Sequence, residues 1–214
     1  MKRSTFILVF SLCISSILSV SAQDDHLKPV NGIFDSYDFL LDYYSQVRSF
    51  LLPHTDDWHE IQIITIPSFD KENVLLLEHV RGTENYSLVF RTVDKSIWYT
   101  KDKANIQVQE IKKKFDKESA LLMKALFRVV IRQTHFPEDD AIGTDGTNHY
   151  FSIDDFGYKT GKTWSPSEKS AMGRLVAITE KIKNMVSAKS ATDKIVFNGA
   201  LSDEIIALTK VIDR

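Results

Sequence analysis

The segment from Gly157 to Thr163 has the residue types of a phosphate-binding loop but not its spacing. Such a loop needs four residues between its first glycine and the Gly-Lys-Thr triplet, so that enough backbone N–H groups surround the phosphates. Here three residues intervene, and Phe156 stands where the glycine is required. We therefore expect a hairpin turn at Gly157 and an irregular strand at Gly161, and no bound nucleotide.

Histidines and carboxylates crowd into the seven residues from His54 to Glu60. Imidazole nitrogens and carboxylate oxygens suit a hard or borderline metal ion, with His54, Asp57 and His59 as the ligand candidates. The chain has no His-Glu-x-x-His pair, which would place two imidazoles on one face of a helix. A solvated turn that leads into a strand explains the same residues and is the favoured interpretation.

Three basic residues, Lys124, Arg128 and Arg132, recur every four positions of a predicted helix and so share one face. Such a basic stripe can recognise an acidic protein partner or a phosphate group. Pairing with acidic loops of the same chain, or simple solvation, is the competing interpretation and is favoured. The stripe is nevertheless a candidate binding surface.

Other catalytic and ligand-binding templates fail on spacing. With Gly146 at position six of an EF-hand loop, Ala141, Gly143 and Ser152 would stand where calcium ligands are required, so a turn is expected there. The chain has no Gly-x-Ser-x-Gly elbow for a serine nucleophile, and its one cysteine is Cys13. A pair of catalytic carboxylates that meets only in the fold would leave no spacing signal. No cofactor is expected.

The N-terminus predicts a secretory signal peptide over residues 1–22. Lys2 and Arg3 precede an apolar run, and small residues up to Ala22 supply a cleavage site. A membrane anchor is the alternative, but the run is about 15 residues long and holds four serines, whereas a spanning helix needs roughly 20 mostly apolar residues. We therefore expect export to the periplasm or the exterior, without stable membrane insertion after cleavage.

The remaining residues, 23–214, are expected to form a single domain. These 192 residues are enough to bury roughly 70% of the unfolded chain's surface in one core. Without Cys13 no disulfide is available, so burial alone must hold the fold. Without Lys2 and Arg3 the chain has 25 basic and 29 acidic residues, a formal charge of −4, which implies neither nucleic acid nor an anionic membrane as a partner.

Hydrophobic periodicity places these candidates on helices and strands. A helix is predicted over residues 33–52, with its tyrosines and phenylalanines packed in the core rather than forming an aromatic binding site. Short β-branched and aromatic runs predict an antiparallel meander, in which Val74 to Leu77 is a central strand covered on both faces. A second helix is predicted over residues 116–133, capped by Asp116. The predicted strands of the meander are 58–66, 72–80, 85–93, 96–101 and 105–111.

A hairpin over residues 147–154 and 158–164 leads to the clearest predicted helix start. Ser165, Pro166 and Glu168 have the spacing of a capping box, and Trp164 is expected to pack the hairpin against that helix. A last helix is predicted over residues 202–212. The expected fold is α+β, an antiparallel sheet with four helices packed mainly on one face.

From Asp145 to Val186 the chain resembles a segment of small exported bacterial proteins of uncharacterised function. The resemblance rests on Asp145-Gly146-Thr147, on the aromatic residues Tyr150 and Phe151, and on the run Gly161-Lys162-Thr163-Trp164-Ser165-Pro166. Because these pieces are turns, a strand and a helix start, the resemblance implies architecture and no catalytic role.

The expected function is that of an exported, soluble, non-catalytic binding protein, whose partner is another exported protein, as for an immunity protein or an inhibitor. The expectation rests on export together with the failure of every catalytic template. A small exported hydrolase, with a site assembled in the fold around His54–Glu60, is the alternative from another class. An envelope protein with a structural role is a third possibility.

Overall fold

The computed structural model describes residues 25–52, 59–137, 145–154, 157–189 and 193–214. The predicted signal peptide, residues 1–22, lies outside these ranges, as do His54 and Asp57 of the predicted metal-ligand set. Within the described residues the chain forms one eight-stranded sheet and four α-helices. Mixed α and β content is thereby confirmed.

The sheet is mostly antiparallel, as predicted, and β5 with β8 is its one described parallel pair. The order of strands across it is β1-β7-β6-β2-β3-β4-β5-β8. The strands are β1 (Lys28–Val30), β2 (His59–Pro67), β3 (Asn73–His79), β4 (Tyr86–Val93), β5 (Val108–Phe115), β6 (Thr147–Asp154), β7 (Tyr158–Trp164) and β8 (Lys194–Ile195). The helices are α1 (Leu41–Leu51), α2 (Lys117–Arg132), α3 (Ala171–Ser187) and α4 (Gly199–Ile212).

Hydrophobic cores lie on both faces of the sheet. In β3, Val74 to Leu77 are all fully buried, which confirms the predicted central strand. Successive side chains of a strand point to opposite faces, so Leu75 and Leu77 join one core and Val74 and Leu76 the other. The first core contains buried residues of α2, α3 and α4, and the second contains those of α1. Among the described helices, α2, α3 and α4 thus contribute to one core and α1 to the other.

The first helix begins later than its apolar spacing predicts. Asp38–Leu40 form a 3-10 turn, and the α-helix runs from Leu41 to Leu51. The preceding Phe34 reaches the core from a loop, where its ring stacks on Tyr44 at 4.6 Å between centroids. Ile33 and Tyr37, which extended the apolar spacing toward the N-terminus, both precede the helix.

The strand predicted over residues 96–101 is wrong. The N–H of Thr100 donates to the carbonyl of Ser96, and the N–H groups of Ile97 and Trp98 donate to the side chain of Glu72 instead of to a neighbouring strand. Residues 94–107 therefore form a long connection between β4 and β5, and the strand predicted at 105–111 is Val108–Phe115.

The capping box predicted at Ser165 is also wrong. The side chain of Ser170 caps α3, accepting a 2.9 Å hydrogen bond from the N–H of Gly173. Ser165 has a φ of 39°, and its hydroxyl accepts a 2.8 Å bond from the N–H of Thr147 across the hairpin. The hydroxyl is therefore used within the sheet, and Pro166 and Glu168 lie in the turn that precedes the helix. By contrast, Asp116 caps α2 as predicted, through the N–H of Ser119.

Candidate binding site

An open cavity of about 270 Å³ lies beside the N-terminal end of α1. Its wall comes from segments that are distant in the sequence: the start of α1, the end of β2 with the turn after it, the β4–β5 connection and the start of β6. Five aromatic side chains line it, and we call it the aromatic cleft. They are Tyr43, Tyr44, Phe69, Trp98 and Tyr99.

A buried carboxylate, that of Glu72, lies behind two of these rings. The side chain is fully buried, and the Tyr43 hydroxyl donates to its Oε1 at 2.7 Å. The N–H groups of Ile97 and Trp98 donate to its two oxygens at 2.8 and 3.2 Å, and the Ser96 hydroxyl donates at 3.4 Å. Burying a charged group is costly unless hydrogen bonds replace the lost water. Four neutral donors perform that role here and hold the connection against α1.

The rings of Tyr43 and Trp98 meet edge to face, with centroids 5.0 Å apart and planes at 89°. Burial raises the pKa of the Tyr43 hydroxyl well above its usual range, and the charge of Glu72 raises it further. The phenol therefore stays protonated and keeps donating to Glu72. The two rings form a fixed inner corner of the cleft.

The outer part of the cleft is unusually exposed for its residue types. Phe69, Trp98 and Tyr99 are 73%, 52% and 57% exposed. A single exposed aromatic residue needs no explanation, whereas a group of them around one concavity marks an interaction site. The hydroxyl of Tyr99 donates to the carbonyl of Ser68 at 2.9 Å, which ties the connection to the turn after β2.

Apart from the hydroxyls and the indole N–H of the aromatic residues, the polar side chains of the cleft lie at one edge. They belong to Ser68, Asp145 and Asn148. Both oxygens of Ser68 already have donors, since its hydroxyl oxygen accepts from the N–H of Gly146 at 3.0 Å and its carbonyl accepts from Tyr99. The exposed carboxylate of Asp145 and the amide of Asn148 are the polar side chains that face a ligand from this edge.

A second cavity, of about 310 Å³, lies on the other side of the α1 start and shares Tyr44 with the first. The hydroxyl of Tyr44 lies 3.1 Å from that of Tyr150, and burial raises the pKa of Tyr44 to about 12. Tyr150 donates to Asp35 at 2.8 Å, and Lys162 pairs with the same carboxylate at 2.7 Å. Lys162, the lysine of the Gly-Lys-Thr triplet, is thus engaged in a structural ion pair.

Two candidate sites from the sequence, the His54–Glu60 cluster and the basic stripe, meet where Glu60 contacts Lys124. This contact lies on the other face of the molecule from the cleft. One carboxylate oxygen of Glu60 lies 2.9 Å from Nδ1 of His79, and the other lies 2.6 Å from Nζ of Lys124. His59 is buried, with its Nδ1 4.0 Å from a carboxylate oxygen of Glu78. Among the residues that the structure describes, no three His, Cys, Asp or Glu side chains are grouped to hold a metal ion.

The basic stripe does not act as one uniform surface. Lys124 is mostly buried against Glu60, with 14% of its side chain exposed. Arg132 pairs with Asp213, at the C-terminal end of α4, and Arg128 lies exposed between them on α2. Lys124 and Arg132 therefore have acidic partners within the chain.

The predicted corner at Trp164 exists but adjoins the cleft rather than a helix start. A Cβ on Gly146 would lie 2.6 Å from Nε1 of Trp164, so the indole packs directly over this glycine. Ser165 closes the same corner with two hydrogen bonds to the backbone of Thr147. The corner sets the position of the neighbouring Asp145 at the edge of the cleft.

A buried polar network lies on the opposite face of the sheet, under α3. Nζ of Lys183 donates to the hydroxyl of Thr65 at 2.7 Å and pairs with Glu180 at 2.8 Å. The Thr65 hydroxyl lies 3.3 Å from Nδ1 of His149, whose pKa burial and the Lys183 charge lower to about 3. A lysine beside a hydroxyl is a nucleophile pair in some enzymes. Lys183, Thr65 and His149 are buried, and none of them lines either of the two cavities described above.

Sequence reasoning missed the cleft. The tyrosines of the first helix were expected in the core, and Tyr44 is there, but Tyr43 forms the wall of the cleft. The adjacent pair Trp98-Tyr99 was one available signal. Successive side chains of a strand point to opposite faces, and a strand at the edge of a sheet buries only one face. In the strand predicted there, one of these two large aromatic side chains would therefore be exposed. The role of Glu72 left no sequence signal, since its partners lie up to 29 residues away.

The chain was compared with protein-family models, with curated proteins and with solved structures, and no match was found. None of the helices in the described part of the chain combines the length and the apolar character that crossing a bilayer requires.

Proposed function

We propose that this protein is an exported, non-catalytic binding protein and that the aromatic cleft is its binding site. The observation that carries the proposal is the convergence of five aromatic side chains from three separate segments on one open cavity. Ligand pockets are lined mainly by apolar and aromatic side chains with a few polar groups. Tryptophan and tyrosine are also the residues that dominate binding energy at protein interfaces.

The construction of the cleft supports a role beyond stability. Glu72 gives up its hydration to hold Tyr43 and the backbone of Trp98 in place, yet the Trp98 side chain stays 52% exposed. A buried charge is a poor source of stability compared with apolar packing. Its presence is explained if the position of the rings serves the binding of a partner.

In one version of the proposal the partner is another exported protein, as for an immunity protein or an inhibitor. That partner would contact the exposed patch of Phe69, Trp98 and Tyr99. The hydrolase alternative around His54–Glu60 has less support. Both carboxylate oxygens of Glu60 are engaged, one by His79 and the other by Lys124.

The proposal can be tested by NMR with ¹⁵N-labelled protein and a panel of small ligands: neutral sugars, amino acids, carboxylates, nucleotides and quaternary ammonium salts. We expect at least one class to shift the backbone signals of residues 40–44, 66–69 and 96–99. Phe69→Ala should weaken that binding about 10-fold, the effect of losing one well-packed aromatic contact.

Phe136→Ala is the matched control, because Phe136 is 71% exposed, close to the value for Phe69, and does not line the cleft. Its binding should equal that of the unmodified protein. Signal shifts centred on residues outside the cleft would contradict the proposal, and so would a protein partner that binds the Phe69→Ala variant as tightly as the unmodified protein.

A further inference from the structure

The chemistry of the aromatic cleft indicates the class of ligand, and this inference rests on the proposed binding function. We propose that the cleft binds a compact quaternary ammonium group, such as a trimethylammonium head group. Three features carry the inference: the ring corner, the negative charge behind it, and the small number of available hydrogen-bond acceptors.

The ring corner offers aromatic faces to a cation. Tyr43 and Trp98 stand at 89° to each other, so a group in the corner meets the two rings from different directions. Tyr44, Phe69 and Tyr99 add further rings around the same cavity. The face of an aromatic ring is negative, and it attracts a cation that lies within about 6 Å of the ring centroid. Tryptophan is the strongest such ring.

A negative charge stands directly behind this corner. The four groups that donate hydrogen bonds to Glu72 are neutral, so none of them cancels its charge. Nζ of Lys103, in the same connection, is directed instead at the carbonyls of Ile97 and Thr100. Because the Tyr43 hydroxyl donates to a carboxylate, electron density moves toward its ring and makes the ring face more negative. Asp145 adds a second carboxylate at the edge.

The small number of hydrogen-bond acceptors in the cleft favours a quaternary ammonium over other cations. A primary ammonium has three N–H donors to satisfy, and a guanidinium has five. In the cleft each oxygen of Ser68 already accepts one hydrogen bond, and the polar side chains of Asp145 and Asn148 lie at one edge, so they cannot surround an ammonium on all sides. A quaternary nitrogen has no N–H, so aromatic faces can surround it without leaving a donor unpaired. Anions are disfavoured by the two carboxylates.

The size of the cleft agrees with a head group rather than a large ligand. Its volume of about 270 Å³ lies just below the roughly 300–1,000 Å³ of pockets for drug-sized molecules. The cavity is also open, so the remainder of a ligand can extend into solvent past Phe69 and Tyr99.

The test compares choline with 3,3-dimethylbutan-1-ol, its neutral analogue with carbon in place of nitrogen, by NMR titration of the full protein. The two probes have the same shape, so the difference in affinity measures the charge. We expect choline to bind about 10-fold more tightly. Asp145→Asn and Tyr43→Phe should each reduce choline affinity about 3- to 10-fold, while leaving that of the neutral alcohol unchanged.

The outcomes separate this inference from the proposed function. If the alcohol binds as tightly as choline, or if other panel members occupy the cleft and choline does not, the cation inference is overturned and the binding function stands. If no ligand of the panel shifts the cleft signals, the cation inference is overturned, and the binding function then requires a protein partner at Phe69, Trp98 and Tyr99. Tyr43→Phe keeps the ring in place, and a native-like NMR spectrum of each variant shows that a loss of affinity does not come from unfolding.

Discussion

The Tyr43 hydroxyl donates a 2.7 Å hydrogen bond to the Glu72 carboxylate, across 29 positions of the sequence. The same carboxylate accepts from the backbone N–H groups of Ile97 and Trp98. One buried charge therefore connects α1 to the β4–β5 connection and sets the positions of the two inner rings of the cleft.

Loss of this hydroxyl should destabilise the protein. Tyr43→Phe leaves the buried carboxylate without its closest donor, so we expect the free energy of unfolding to fall by about 1–3 kcal/mol. Urea unfolding measures the change. Tyr37→Phe is the control, because Tyr37 is 46% exposed, and a change within about 0.5 kcal/mol is expected there. Equal losses in the two variants would show that the bond to Glu72 contributes nothing.

Acid should weaken the fold through His149. Burial lowers the pKa of His149 to about 3 in the folded protein, from an ordinary value of 6.5. Below pH 6.5 the unfolded chain binds a proton that the folded protein does not, so the free energy of unfolding falls as the pH falls from 6.5 toward 3. The slope from this residue reaches about 1.4 kcal/mol per pH unit.

His149→Gln removes this titration and should flatten the pH dependence. Urea unfolding of both proteins is measured at a series of pH values between 6.5 and about 4.5, where most carboxylates of the unfolded chain are still charged. The difference between the two curves isolates His149, because His26, whose pKa burial also lowers, contributes to both. If the variant and the unmodified protein show parallel curves over this range, His149 is not the group responsible.

The buried ammonium of Lys183 should contribute less to stability than the volume of its side chain does. Lys183→Ala leaves a cavity under α3, and we expect a loss of about 2–4 kcal/mol. Lys183→Met fills most of that space and leaves Glu180, which is 48% exposed, in contact with water. We therefore expect Lys183→Met to lie within about 1 kcal/mol of the unmodified protein, or to be more stable.

The same Lys183→Met variant changes the charge beside His149. Because the Lys183 charge helps to lower the pKa of His149, its removal should move that pKa upward, toward 6.5. An NMR titration of the imidazole signals measures the shift. A purely structural lysine with no electrostatic effect on His149 would leave the pKa unchanged.

The start of α3 can be tested with two neighbouring substitutions. Ser170→Ala removes the side chain that caps the helix, and we expect a loss of about 1 kcal/mol. Glu168→Ala should change the free energy of unfolding by less than about 0.5 kcal/mol, because Glu168 lies exposed in the turn before the helix. If Glu168→Ala proved as costly as Ser170→Ala, the capping box predicted at Ser165 would regain support.

Patterns of neighbouring residues predicted many of the helices and strands, because the burial of a strand and the capping of a helix depend on residues close together in the sequence. The all-apolar run Val74 to Leu77 indicated a strand buried on both faces, and the structure places it there. Asp116 signalled a helix start through a bond to the N–H of Ser119, three residues on. Ser165 had an equally good local signal, but a contact with Thr147, 18 residues away, determines what its hydroxyl does.

The sequence by itself determined the alternation and periodicity that produce an α+β fold with a mostly antiparallel sheet, since burial patterns repeat over a few residues. Only the tertiary structure decided the aromatic cleft, the engagement of Glu60 by Lys124, and the network around Lys183. Each of these depends on groups that meet from distant segments, as Tyr43, Glu72 and Trp98 do. Their interactions act through space at a few ångströms, so no spacing along the chain records them.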